Sequence, residues 1–577
     1  MKKKLLPALI VTGLIILVVI IMGITALINK YTPTKKTEDL KEYFNISSDD
    51  EAALIVDNEL SDYKAKIIDK KIYVDYKFVH DSLNSRFYWD ANENVLLYTT
   101  ASDIISAAAD SNSYSVTKQT NDFGYPIVKA TSDSALIALD YVKQYSNITF
   151  KSYDDPARIV ITSKWDEIDS ATVSKSTQVR VKGGIKSPIL KEVKKDDKIT
   201  LLDSGDKWDK VATEDGVIGY IKSKALSESK KTKLTNPDYE EETFTHIKKD
   251  KDICLAWNQV TSQSANSKVP QVISSTKGIN VMSPTWFYLN DNNGNLADIA
   301  SKDYVSYCHS QGIEVWGLFS NFENTDVDAA YVLTHTSTRT TLINQIMSAA
   351  FNYELDGVNI DFENITEAAY GDSYIEFIRE LAIKCHNNGI SLSVDVTVPA
   401  SFNKFFNRSD MANFADYIVI MGYDEHYKGS DAGSVSSIPW VTEGVESTLK
   451  EVPADQIILG MPFYTRIWEL TPKEDDDAVT DTEDQSKYTV ASQVYSMDAA
   501  AAQLATNNAT AALDEESGQN YAEWSVSNKL YKVWLEDSTS LEKRLKLVDD
   551  NKLAGAAFWK LGFENSSVWD TVIKYLN

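Results

Sequence analysis

From Asp356 to Glu363 the chain reads Asp-Gly-Val-Asn-Ile-Asp-Phe-Glu. Successive side chains of a β-strand point to opposite faces. Asn359, Asp361 and Glu363 therefore share one face, and Val358, Ile360 and Phe362 share the other. A row of carboxylates cannot face a closed apolar core, because an unpaired buried carboxylate is very costly. Such a strand fits a barrel whose polar face opens into an active site.

The rest of the C-terminal half supports a barrel. Apolar strands are expected at Ile253–Trp257, Ile279–Trp286, Ile313–Phe319, Asp356–Phe362, Ser391–Thr397, Tyr417–Gly422, Ile457–Phe463 and Leu553–Trp559. Helical spacing separates them: Leu342, Ile346, Ala350 and Tyr353 before the fourth strand, and Tyr374, Phe377, Ile378, Leu381 and Cys385 after it, ended by Gly389. Eight strand–helix units make a (β/α)8 TIM barrel, expected over residues 245–577. Its active site would lie at the strand C-terminal ends, where Glu363 falls. The stretch from about 469 to 532 is too long and irregular for one helix and reads as an inserted α+β subdomain beside the cleft.

A chain of 577 residues exceeds one domain. Residues 45–165 read as an α+β module with an internal repeat, in which Asn84, Phe87, Leu96 and Thr99 match Asn147, Phe150, Ile159 and Thr162. Residues 171–228 read as a small β-barrel, with Val179-Arg180-Val181, Trp208-Asp209-Lys210-Val211 and the hairpin signal Asp215-Gly216. A charged linker is expected at 229–244, from Lys230-Lys231 to Glu240-Glu241-Glu242.

Lys2, Lys3 and Lys4 precede an uncharged apolar run from Leu5 to Ile28. It is long enough to span a bilayer and longer than a usual signal-peptide core. Residues 1–30 are therefore expected to be a cytoplasmic tip and an uncleaved transmembrane anchor, cleavage and secretion being the alternative. Lys30, Lys35, Lys36 and Lys41 beyond the run nearly balance the charge, so an extracellular body is inferred mainly from what it would degrade. The net charge of -26 argues against nucleic-acid binding. Cys254, Cys308 and Cys385 have neither disulfide-framework nor metal-ligand spacing, and the six histidines form no paired motif, so no metal and no cofactor is expected.

The segment Asp356–Glu363 resembles the signature Asp-x-x-Asp-x-Asp-x-Glu of glycoside hydrolase family 18. The resemblance implies Glu363 as general acid and then base, with Asp361 orienting the 2-acetamido group of the substrate, whose carbonyl oxygen is the nucleophile. Asn359 stands where chitinases have the middle Asp. It can hydrogen-bond Asp361 but cannot share a proton with it. The same Asn occurs in a branch resembling spore-cortex-lytic N-acetylglucosaminidases, as do Met421-Gly422-Tyr423-Asp424-Glu425-His426-Tyr427 and Pro439-Trp440. The resemblance makes Tyr423 a donor to the acetamide and Asp424 a brace for the −1 sugar. Asp356 and Asn359 are grouped with the supporting residues. Gly460–Trp468 is similar to the seventh strand, with Tyr464 and Arg466 as contacts and Trp559 as the floor under the −1 sugar. Trp286 and Trp316 are either further platforms or core, Asp537 is structural and His426 braces a loop. Residues 171–228 resemble a bacterial SH3-type domain, which could bind cell-wall peptide. Residues 45–165 resemble the noncatalytic stalk module related to copper amine oxidases, with no copper ligands implied. The implied partner is an N-acetylglucosamine polysaccharide, peptidoglycan foremost. Chitin or glycan hydrolysis and a noncatalytic lectin or scaffold remain alternatives.

Overall fold

The computed structural model describes residues 5–363, 365, 370–473 and 484–576. Lys2–Lys4 and residues 474–483 of the expected insertion lie outside the described residues. The chain divides into two compact units, residues 1–89, 107–114 and 122–241 in the first and 90–106, 115–121 and 242–577 in the second.

In the first unit, helix α1 (Leu5–Tyr31) has 27 residues, or about 40 Å at 1.5 Å per residue, against about 30 Å of bilayer hydrocarbon. Its apolar side chains from Leu9 to Ile28 are exposed. It is long and apolar enough to cross a membrane, and a signal sequence has the same features. Two seven-stranded sheets follow. In one, the hairpin Thr149–Tyr153 and Arg158–Thr162, which is the second copy of the internal repeat, pairs in parallel with Glu51–Val56. The other is antiparallel and runs mostly from Glu167 to Lys222. Ala53 and Ile55 of the first sheet pack with Val179, Val211 and Ile221 of the second. Asp215-Gly216 forms the expected turn, with Gly216 at φ 82°, and Arg158 is paired with Asp215 at 2.5 Å. Lys230–Lys233, expected in the linker, is instead an edge strand against Glu167–Ser170. Alternating charge explains the pairing: Lys231 meets Asp169 at 2.9 Å.

In the second unit eight parallel strands close into a barrel: β1 (Ile253–Asn258), β2 (Val281–Leu289), β3 (Glu314–Ser320), β4 (Gly357–Asp361), β5 (Ser391–Thr397), β6 (Tyr417–Met421), β7 (Ile457–Pro462) and β8 (Gly555–Trp559). Each pairs with its neighbour in chain order, and β8 returns to β1 through Ile253↔Gly555. Alternation sets the layers. Leu255, Trp257, Leu318, Val419 and Ala557 fill the interior. Val358, Ile360 and Phe362 face the surrounding helices, where they join Leu342 and Ile346 of α2 (Thr336–Tyr353) and Phe377 and Leu381 of α3 (Gly371–His386). Gly357 opens β4 because a Cβ there would lie 2.5 Å from the Trp316 indole. Residues 90–106 pack with this unit, and Asp90 accepts from the Thr336 backbone N–H at 2.6 Å, capping α2.

The insertion is a five-stranded antiparallel sheet whose strands lie between Tyr464 and Leu535, with helix Met497–Thr506 alongside. The barrel strand expected at Ile457–Phe463 runs Ile457–Pro462, and the inserted sheet begins at Tyr464, earlier than the expected 469, with Tyr464–Pro472 as its first strand.

Candidate active site

A cleft of about 910 Å³ opens at the C-terminal ends of the barrel strands. Asp361 and Glu363, two residues apart at the end of β4, both line it, as their shared strand face requires. Tyr423, just past β6, and Trp559, the last residue of β8, line it too. Trp257 packs edge-on against both rings, with centroids 6.5 Å from Tyr423 and 6.1 Å from Trp559. Four of the sequence-predicted groups thus meet in one cavity.

Asp361 is buried, and its Oδ1 has no hydrogen-bond partner. Burial raises its pKa well above the usual carboxylate range, and the charges of Asp395, Glu363 and Glu323 raise it further. Glu363 is exposed to the cleft and is held by its backbone N–H, which donates to Asn321 Oδ1 at 3.1 Å. Desolvation by the cleft walls raises its pKa, followed by the charges of Asp424 and Glu323. A carboxyl that keeps its proton toward neutral pH can act as a general acid. Burial also raises the Tyr423 phenol well above its ordinary value, with Asp361, Asp395 and Glu363 adding to it. Tyr423 therefore stays a hydrogen-bond donor.

The insertion contributes directly. The Tyr464 hydroxyl donates to Asp424 Oδ1 at 2.5 Å, and Arg466 Nη2 lies 3.6 Å from the same oxygen. All three line the cleft. Asn359 is fully buried inside the barrel and turns to partners other than Asp361. Its Oδ1 accepts from Trp257 Nε1 at 3.0 Å and Ser283 Oγ at 2.9 Å, while Nδ2 donates to Ser393 Oγ at 3.1 Å and Asp395 Oδ1 at 2.7 Å.

Asp356 does not reach the cleft. It precedes β4 at the opposite end of the barrel, where it bonds His309 at 2.8 Å and accepts from the Val315 N–H at 2.8 Å. Period two explains this, since Asp356 shares parity with Val358 rather than with Asn359. Trp286 and Trp316 are fully buried core residues. Trp286 donates to Asn266, and Trp316 donates to Glu314 and stacks on Tyr417. His426 braces its loop through Asp431 O at 3.0 Å, and a Cβ on Gly433 would lie 2.3 Å from its ring. Asp537 caps helix α4 (Ser538–Asn551) through the Thr539 and Ser540 N–H groups.

Two carboxylates of the cleft escaped the sequence reading, Asp395 on β5 and Glu323 after β3. Glu323 accepts from Ser320 Oγ at 2.7 Å. Asp395 carried a signal, because Ser391, Ser393, Asp395 and Thr397 alternate with apolar residues as β4 does. The exposed rings of Phe402 (78%) and Tyr427 (57%) also border the cleft. Among the described residues no cluster could hold a metal ion. Burial pushes the Cys254 and Cys308 thiols up to about 12, so neither is a poised nucleophile.

Residues 318–564 match the family model "Glycosyl hydrolases family 18". The uncharacterized glycosylase YvbX of Bacillus subtilis is 24% identical over 49% of this chain and 81% of its own length. The cortical fragment-lytic enzyme of Bacillus subtilis is 24% identical over 48% of this chain and 63% of its own, a little under two thirds. The solved structure of the Bacillus megaterium spore cortex-lytic enzyme SleL is 20% identical, covering 56% of this chain and 74% of that one at a TM-score of 0.49. The matched residues, 318–564, contain β4, Glu363, Tyr423 and β8: this chain carries a glycosyl hydrolase family 18 domain and is a glycoside hydrolase.

Proposed function

We propose that the protein hydrolyses β-1,4-linked N-acetylglucosamine linkages in peptidoglycan by substrate-assisted, retaining catalysis. The observation that carries this reading is the meeting of Asp361, Glu363 and Tyr423 in one aromatic-bordered cleft. Glu363 gives its proton to the leaving glycosidic oxygen as the acetamide carbonyl oxygen of the −1 sugar attacks the anomeric carbon. Asp361 accepts from the acetamide N–H, and Tyr423 donates to the acetamide oxygen. Water then opens the oxazolinium ring, returning its proton to Glu363. Asp424, held by Tyr464, braces the −1 sugar, Arg466 supports that corner, and the Trp559 ring lies under the apolar pyranose face. Phe402 and Tyr427 offer stacking surface for further sugars.

The cortical fragment-lytic enzyme among the relatives favours peptidoglycan over chitin as substrate. In this reading α1 is an uncleaved anchor that holds an extracellular body at the membrane. Residues 45–165 act as a stalk, and the SH3-type domain at 171–228 contacts wall peptide.

Purified peptidoglycan and chitin oligomers, digested in parallel and reduced with borohydride, test the substrate. New reducing ends on peptidoglycan that yield glucosaminitol are expected. Cleavage of chitin alone would favour the chitinase alternative. Binding without any cleavage would favour a lectin.

A further inference from the structure

The register between β4 and β5 runs Gly357↔Ser391, Val358↔Leu392, Asn359↔Ser393 and Ile360↔Val394. One step further sets Asp361 beside Asp395 on parallel strands about 4.8 Å apart. Both side chains line the cleft, and both residues are buried, 6% and 2% exposed. Asn359 Nδ2 donates to Asp395 Oδ1 at 2.7 Å, which makes that oxygen an acceptor. The other oxygen, Asp395 Oδ2, and Asp361 Oδ1 are both buried without a partner. A proton on Asp395 Oδ2, donated to Asp361 Oδ1, would satisfy both atoms at once. Two adjacent buried carboxylates cannot both stay ionised.

We propose that Asp395 is a positioning residue for the reaction, a neutral carboxylic acid that donates a hydrogen bond to Asp361 and holds it as the ionised acceptor of the substrate's acetamide N–H. The proposal rests on the substrate-assisted reading above. It also gives Asn359 a purpose, since its amide orients Asp395 so that Oδ2, not Oδ1, carries the proton.

The neighbouring groups agree with this direction. Burial raises Asp395 well above the usual carboxylate range, the Asn359 bond pulls it down, and the Glu363 charge raises it again. Asp361 and Glu363 face it from β4 and Tyr423 from beyond β6, while Glu323 acts on Asp361 from the loop after β3. On α3 the buried Tyr374 hydroxyl also has no partner, and its phenol responds to both aspartates. It is the rival donor.

Asp395→Asn keeps a donor at the Oδ2 position, whereas Asp395→Ala removes it. With chitotetraose as substrate, Asp395→Asn is expected to keep kcat within about threefold and the acid limb of the pH profile in place. Asp395→Ala is expected to lose about 10- to 100-fold in kcat, the worth of a hydrogen bond to a charged group. Its acid limb should move to higher pH, because Asp361 loses the bond that favours its ionised form. Infrared difference spectra of the substrate-free proteins read the proton directly. Wild type at neutral pH should show the carbonyl stretch of a protonated carboxyl that Asp395→Asn lacks and Tyr374→Phe keeps. An unmoved limb in Asp395→Ala, equal damage from Asn and Ala, or loss of the band in Tyr374→Phe would overturn the proposal. If wild type cleaves neither chitotetraose nor purified peptidoglycan but shows the band, the functional reading fails while the proton assignment stands.

Discussion

The Tyr464 hydroxyl donates to Asp424 Oδ1 at 2.5 Å, joining the first strand of the inserted sheet to the loop after β6. Asp424 sits in the left-handed region at φ 61°, a conformation that needs holding in place. The insertion therefore forms part of the cleft. Tyr464→Phe should fold and cost roughly 10- to 100-fold in kcat/KM, from loss of a hydrogen bond to a charged group. Steady-state kinetics beside a thermal melt check this, and unchanged kinetics would free Asp424 from any dependence on Tyr464.

Glu363→Gln is nearly isosteric and cannot serve as a carboxylic acid. Loss of a general acid typically costs ~10²–10⁴-fold in turnover. We expect that loss with oligosaccharide binding retained, read by kinetics and isothermal titration. Near-wild-type turnover would remove Glu363 from the mechanism.

Glu323→Gln should move the whole pH–rate profile to lower pH. The negative charge of Glu323 raises both Glu363, which must be protonated, and Asp361, which must be ionised. Removing it lowers both, so the alkaline and the acid limbs move down together. A shift of one limb alone would show that Glu323 faces only one of the pair.

Strand and helix periodicity made the barrel and the Asp361–Glu363 pair legible, while Tyr423, Asp424, Tyr464, Arg466 and Trp559 were implied only by the family resemblance. The β4 alternation placed Asp361 and Glu363 together, and the eight apolar runs placed all the barrel strands. Asp395 is hard to single out because the other polar residues of its strand face, Ser391, Ser393 and Thr397, are small and uncharged, so the face lacks the carboxylate row that marks β4. Glu323 lies in a loop, where no periodicity points to it. The end of β7 is legible at Pro462, whereas the start of the inserted sheet at Tyr464 is not, because Tyr464–Thr471 carries no turn residue to separate it from the barrel strand. Asn359's partners belong to other strands, and only barrel closure brings Trp257, Ser283 and Asp395 to it.

Arg544 and Glu536 are buried and doubly bonded, at 2.7 and 2.8 Å, and Arg544 Nη2 also donates to Ser436 O. Arg544→Met leaves Glu536 buried without its counter-ion, with only Gln519 Nε2 and Ser540 Oγ still donating to it, which costs about 3–5 kcal/mol. Burial already raises the Glu536 pKa, with Arg544 opposing it, so the variant's carboxyl should rise further. A raised folded pKa favours the protonated folded state and loses stability as pH rises through it. The deficit in urea unfolding should therefore widen from acid to neutral pH, and a deficit independent of pH would contradict this.

If α1 is an uncleaved anchor, the cell-associated protein should retain Leu5–Tyr31 and require detergent for extraction. External protease should digest the body in wall-stripped cells. A mature N-terminus near residue 30 in culture fluid would instead make α1 a cleaved signal.

Two inversions at one anomeric carbon, first by the acetamide and then by water, return the starting configuration. NMR of the first-formed anomer from a chitin oligomer, read before mutarotation, distinguishes this from direct water attack. The proposed roles of Asp361, Glu363 and Tyr423 predict the β-anomer. An α-anomer would contradict them and assign the attack to water activated by another base.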